Sequence, residues 1–453
     1  MTDTQAAETG RVAAALERMG PTWLAGAIAA GPATMASLIT AGATFGYTLL
    51  WIVVLSAVLG ALAQYLSTRL GLLSGTEGIV STAEEHLGET WAWILVVDAV
   101  LAAGLAQLVI MKTVADVSAT VTGVDARVWG VAWAVVLAVG LAGGGYRVAE
   151  LGAKLLVSVV VLAFLASLFV VPIDAGAAVS GFAPRIPAGI DGALVAAGIL
   201  GGAVHITLVT MQSYTMRARG WTRSDYGFAK LDVGVSMLGA FGIYSLAIFL
   251  VTASVLHDPS VSAGELTATA AAEALGPLVG PAAQWLFLLG LWGAAVSTLG
   301  GNTVVPPYLV ADKLGWETDV SDTRYRALLA GVALLSAGGA FLGGAFFPLL
   351  VLVLAFGLVG TPFAIAVVLV LLNSDAVPES TPTFANVGGV VLFGVTSVTA
   401  GSFVRGQLAS VGRDPAATFV VAFAFAMALA TAGLVVKHLL GGTTAAGAPA
   451  GGR

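Results

Sequence analysis

The sequence predicts an all-α integral membrane protein. About twelve transmembrane helices are expected, in two sets of five that run in opposite senses, followed by two more. Three observations carry this. Of 453 residues, 58% are hydrophobic and 10% are charged, against roughly 25% charged in an average soluble domain. Apolar runs long enough to span a bilayer, about 20 residues each, recur along the whole chain. Two of those runs carry helix-weakening residues at matching places, Gly31-Pro32 and Gly201-Gly202.

The same composition excludes several classes of function. Too few polar side chains remain to cover a soluble surface, which rules out a cytosolic enzyme, a nucleic-acid binder and a disordered scaffold. The chain has no cysteine, so disulfides, thiolate metal sites and thiol catalysis are excluded. No GxxxxGK[ST] motif occurs, and no GxGxxG lies between a strand and a helix. Neither a nucleotide nor a resident cofactor is therefore expected. The surroundings are the lipid bilayer, and no obligatory protein partner is evident.

Taken in order, residues 1–20 form a polar tail with no basic start and no small-residue cleavage site, so no signal peptide is expected. Charges and turn residues then bound spans near 22–45, 48–69, 91–121, 127–144 and 149–173. The second set lies near 191–217, 230–256, 279–309, 325–345 and 347–373. Two further spans lie near 383–404 and 415–439, and a low-complexity tail closes the chain. The expected organisation is a tail (1–20), a first repeat (21–175), a second repeat (190–373), two added spans (383–440) and a flexible tail (441–453).

Orientation follows from the basic residues. With the N-terminus cytoplasmic, inside segments hold fourteen Lys and Arg, among them Arg217, Arg219 and Arg223. Outside segments hold four, and Lys112 falls within a span. The positive-inside rule thus places both termini in the cytoplasm.

Proline in a helix removes a donor and clashes with the preceding turn, so span 1 is expected to break at Gly31-Pro32. Span 6 is expected to break at Gly201-Gly202. Five spans start at each interruption, and because five is odd the second set is inverted. Paired broken helices in inverted halves point to a secondary-transporter site at the bilayer midplane.

Gly31-Pro-Ala-Thr34, followed by MASLITAGATFGYTLLW, resembles the Asp-Pro-Gly-Asn stretch of the NRAMP family (natural resistance-associated macrophage protein) of divalent-metal transporters. The segment ALAQYLSTRLGLLSG from Ala61 resembles its second span, and Tyr146-Arg147 with Glu150 its entry to the fifth. Ala203-Val204-His205, with Arg217 downstream, is similar to its Met-Pro-His. LFLLGLWGAAVSTLGGN from Leu286 resembles its eighth span, and Pro362-Phe-Ala364 its tenth. The likeness covers roughly residues 20–375. It implies a LeuT-like (APC-type) 5+5 inverted-repeat fold, alternating access and proton-linked metal entry.

The departures fall on the implied site. Gly31 stands where the family has Asp, Thr34 where it has Asn, and Ala203 where it has Met. Leu354 and Gly360 occupy the candidate positions of a tenth-span Gln. Borderline and hard dications need oxygen ligands, usually with a carboxylate among them, and no thioether remains here for a soft ion. The expected substrate-binding set is Gly31, Pro32, Ala33, Thr34, Ala203, Val204, His205 and Thr207, with Thr34 and His205 as metal ligands. His205 is the only histidine placed within a span, and an ionisable group there is a functional candidate by default. Asp98, Lys112, Asp116, His205 and Glu150 are the candidates for proton handling or gating. Lys112 and Asp116 lie four apart and are expected to pair. Asp98 is left open between a relay and a cavity-facing carboxylate.

The function expected is secondary transport of a divalent cation of the Mn or Mg class, with protons as coupling ion, across the cytoplasmic membrane. Two alternatives stand beside it. One is transport of a small non-metal solute, such as an amino acid or organic anion. The other is a non-transporting sensor of the same fold.

Overall fold

The computed structural model describes residues 31–75, 78–143 and 146–445, without the side chains of 146–150, Ile190 and 441–445. Among these residues the only regular structure is helical. The expected tail 1–20 and residues 22–30 of span 1 lie outside the described residues, as do residues 446–453 of the expected tail 441–453, whose first five residues instead continue the last helix, Pro415–Ala445.

Helix α1 (Pro32–Phe45) ends at Gly46, whose φ of 55° is costly for any residue with a Cβ. A 3₁₀ turn, Gly46–Leu49, then leads into α2 (Leu50–Leu73). The chain continues with a short helix, α3 (Ile79–Leu87), then α4 (Glu89–Thr122), α5 (Ala126–Gly143) and α6 (Tyr146–Ser167). Next come α7 (Ile190–Val204) and α8 (Ile206–Ala218). A seventh span follows as α9 (Tyr226–Gly234), a π-helical stretch (Val235–Phe241) and α10 (Gly242–Val255). The rest are α11 (Ala283–Thr303), α12 (Val305–Leu314), α13 (Thr323–Leu335), α14 (Phe346–Leu372), α15 (Thr383–Gln407) and α16 (Pro415–Ala445).

Nine helical stretches among the described residues are long and apolar enough to cross a membrane, against the twelve spans expected. The difference has local causes. Spans 1 and 2 run through the Gly46 corner as one stretch, Pro32–Leu73. The expected span 149–173 is present as the helix Tyr146–Ser167, of which the part with described side chains, Leu151–Ser167, stands as a shorter apolar helix beside the nine. The expected span 325–345 loosens after Leu335 into 3₁₀ geometry over Ser336–Phe341, where two glycines weaken the α-helix.

Helix α14 is the centre of the bundle. It packs against α1, α4, α7, α15 and α16, and almost every residue from Ala355 to Leu372 is buried. A helix apolar on all sides suits this position. Around it, polar ties fix the connecting segments. The Ser81 N–H at the start of α3 donates to Asp312 Oδ2 (3.2 Å), which also accepts from the Tyr214 hydroxyl (2.5 Å). Mid-helix, Glu84 accepts from Lys313 Nζ at 3.0 Å. At its end, the Leu87 carbonyl accepts from Lys437 Nζ at 2.7 Å. The free N–H groups of a helix start favour a carboxylate, and the free carbonyls of its end favour an ammonium. In the basic cluster after span 6, Arg219 pairs with Asp232 (3.2 Å) and Arg223 with Glu379.

Candidate functional site

The site is built on the interruption of span 6. Helix α7 ends at Val204 and α8 begins at Ile206, while His205 between them is extended, with φ −50° and ψ 140°. The break thus falls three residues beyond Gly201-Gly202, where the sequence had placed it. Both glycines are helical and serve close packing instead. A Cβ on Gly201 would overlap the Leu354 carbonyl of α14, and one on Gly202 would sit 2.7 Å from Thr34 Oγ1 of α1. The break holds without a proline at Val204 because its freed groups find partners. The Thr361 hydroxyl donates to the Val204 carbonyl (2.9 Å). His205 Nδ1 accepts from the Thr207 N–H (3.3 Å) and lies 2.9 Å from the Thr207 hydroxyl. The imidazole therefore caps α8 by its Nδ1, in the manner of a side-chain N-cap.

That cap leaves Nε2 with other work. His205 is 5% exposed, and its Nε2 has no hydrogen-bond partner among the described residues. It lies against the Cα of Gly357 on α14, so close that a Cβ there would overlap the ring. One turn further along α14, Gly360 receives the carboxylate of Asp98 in the same way. Asp98 comes from α4, is 1% exposed, and neither of its oxygens has a partner among the described residues. Cβ positions three apart on a helix are about 5–6 Å from each other. The Asp98 carboxylate and the His205 imidazole therefore face the same short strip of α14. An ionised carboxylate buried without a partner is costly, so it carries either a proton or a cation.

The other expected residues sort as follows. Pro32 takes the first position of α1 with Gly31 as its cap, as a proline that begins a helix does. Pro32, Ala33 and Thr34 are buried, and the Thr34 hydroxyl turns toward Gly202. Ala203 and Val204 are fully buried. Thr207 reaches the site only as the partner of His205. Lys112 and Asp116 do pair, at 2.9 Å. They lie fourteen and eighteen residues along α4 from Asp98, about 21 and 27 Å at helical rise, and do not join the site. The side chain of Glu150 lies outside the described residues. No group of three or more His, Cys, Asp or Glu placed to hold a metal occurs among the described residues.

Sequence reasoning missed Gly357, Thr361 and Thr298. Thr298, on α11, lies 3.0 Å from where a Cβ on Gly31 would be. The available signal was glycine itself at 357 and 360 within an apolar span, since small residues let neighbouring groups approach a membrane helix closely.

A family model described as natural resistance-associated macrophage protein-like matches residues 22–405. The chain belongs to the NRAMP family. Its relatives include the divalent metal cation transporter MntH of Mycobacterium tuberculosis (strain CDC 1551 / Oshkosh), 28% identical over 380 residues, covering 79% of this chain and 84% of that protein. Among solved structures, the Eremococcus coleocola manganese transporter, in complex with an aromatic bis-isothiourea substituted compound, superposes with a TM-score of 0.71. It is 17% identical, and 94% of each chain is covered. MhsT in complex with L-phenylalanine has a TM-score of 0.56 at 14% identity, over 85% of this chain and 98% of that one. The expected NRAMP resemblance and LeuT-like fold are thus borne out, and the chain is a multi-pass membrane protein of a transporter family, not an enzyme.

Proposed function

We propose that this NRAMP protein is a secondary transporter that carries a divalent cation of the Mn or Mg class by alternating access. Its binding site lies between the start of α1 and the break of span 6. The observation that supports this most directly is His205, an imidazole at an interrupted helix with one nitrogen engaged in capping and the other unpartnered. Family membership and the MntH relatives point to a metal as cargo. In this reading Gly31, Pro32, Ala33, Ala203 and Val204 shape the pocket, and Thr34 and His205 face the cation. Thr207 orients the imidazole, and protons are the coupling ion. The two repeats span 21–175 and 190–373. The fourteen-to-four distribution of basic residues supports a cytoplasmic membrane location with both termini inside.

The test is uptake of Mn²⁺, Mg²⁺ and Ca²⁺ into proteoliposomes, with and without a pH gradient, for wild type and His205→Ala. Saturable metal uptake that the substitution abolishes is expected. A folded wild type that moves no metal would sink the reading. The absence of a three-residue metal cluster among the described residues favours one alternative, a small organic anion or amino acid. Thermal stabilisation by such a solute, with no response to metal, would establish it.

A further inference from the structure

We infer that the carboxylate of the cation site has moved from span 1 to span 3: Asp98, set against Gly360, binds the transported cation together with His205, set against Gly357. The inference rests on the cation reading given above and adds the ligand that reading lacks. The first-span position that would carry an acid is Gly31, which has no side chain, and Thr34 is neutral. Among the described residues, Asp98 and His205 are the buried ionisable groups that face α14 at the level of the span 6 break without a partner for the inward atoms. The other charged pair on α4, Lys112 and Asp116, is self-satisfied at 2.9 Å.

The geometry suits one ion. Gly357 and Gly360 are one turn apart on the same helix, which sets the imidazole and the carboxylate on the order of 6 Å from each other. A hard dication with oxygen ligands at about 2.0–2.6 Å, keeping some of its waters, fills such a gap. Gly360 is essential to this arrangement, because any side chain there would occupy the space of the Asp98 oxygens. Loss of the tenth-span side chain and use of the third-span carboxylate are therefore one structural change. The site so formed is oxygen and nitrogen only, which suits Mn²⁺ and Mg²⁺ and gives no advantage to a soft ion.

Equilibrium binding of Mn²⁺ and Mg²⁺ to the purified full-length chain, at one fixed pH and without a gradient, separates a ligand from a proton carrier. Asp98→Asn keeps the shape and removes the charge, and Mn²⁺ affinity is expected to fall at least about tenfold. Gly360→Ala keeps the charge but displaces the carboxylate, and it should weaken binding in the same direction. It carries the test where the asparagine variant does not fold. Mn²⁺ bound to wild type should show nitrogen coupling in its electron spin-echo spectrum, lost in His205→Ala. Unchanged Mn²⁺ affinity in folded Asp98→Asn, with only the pH dependence of uptake altered, would overturn the inference and leave the cation reading standing. A wild type that neither binds nor moves any metal would remove the cation reading itself.

Discussion

Gly357→Ala tests the placement of His205 with a single methyl group. The added Cβ would lie closer than 3.0 Å to the ring, so one of the two must give way. Because α14 is packed on all sides, the backbone is the stiffer partner, and the imidazole has to swing off Gly357. That movement breaks the contacts of Nδ1 with Thr207, which cap α8. Loss of a side-chain cap costs about 0.5–2 kcal/mol, and overpacking a core adds about 1–3 kcal/mol. Replacing a helical glycine by alanine returns about 1 kcal/mol, so the net loss should be about 0.5–4 kcal/mol. A matched control exists on α15, where a Cβ on Gly394 or Gly401 meets nothing within 4 Å. Those two alanine variants should be neutral or slightly stabilised. The assay is thermal unfolding in detergent alongside metal uptake. Gly357→Ala should melt lower than wild type and the controls, and its uptake should drop with it. Equal melting and equal uptake in Gly357→Ala and Gly394→Ala would show that His205 does not rest on Gly357.

Three further outcomes are expected. Lys112→Met with Asp116→Asn removes a pair about 21–27 Å along α4 from Asp98, so metal affinity should stay within about twofold of wild type, as read by titration. Lys313→Met deletes a buried ammonium that holds Glu84 at 3.0 Å. Glu84 is partly exposed and regains water, so the loss should be about 1–3 kcal/mol rather than the larger cost of stranding a fully buried charge, measured as a lower melting temperature. Asp322, which caps α13, has its carboxyl held down at about 2, first by the Arg324 guanidinium and then by the Arg324 N–H. A depressed carboxyl contributes its stabilisation fully above the unfolded value near 3.9 and loses it as pH falls toward 2. Asp322→Asn should therefore leave the shape of the uptake profile between pH 5 and 8 unchanged, and a changed profile would contradict that assignment.

Positions of the apolar runs were legible in the sequence, since hydrophobic length is a local property that any window along the chain measures. Family motifs likewise singled out Pro32 and Thr34, at the start of α1, and His205, at the break of span 6. What was not legible depends on who approaches whom. The two glycines at 201 and 202 looked like a break because glycine lowers helix propensity locally. In the fold they are contact points for the Leu354 carbonyl and the Thr34 hydroxyl, and the real break sits where Thr361, 157 residues away in sequence, takes up the Val204 carbonyl. Asp98 could not be assigned for the same reason. Its surroundings are set by Gly360 on another helix, and nothing adjacent in sequence announces that.

The ties of α3 have a consequence for how the protein is made. This nine-residue helix is gripped at its start by Asp312, in its middle by Lys313 and at its end by Lys437, which lie 231, 229 and 350 residues from their respective partners. Synthesis runs from the N-terminus, so the ribosome delivers all three anchors long after α3 itself. Until the last span is inserted, the C-terminal end of the helix between spans 2 and 3 lacks the ammonium that answers it. Its seating is thus a late event in biogenesis, and a nascent chain stalled before Lys437 leaves the Leu87 carbonyl without its anchor, a difference that limited proteolysis can read.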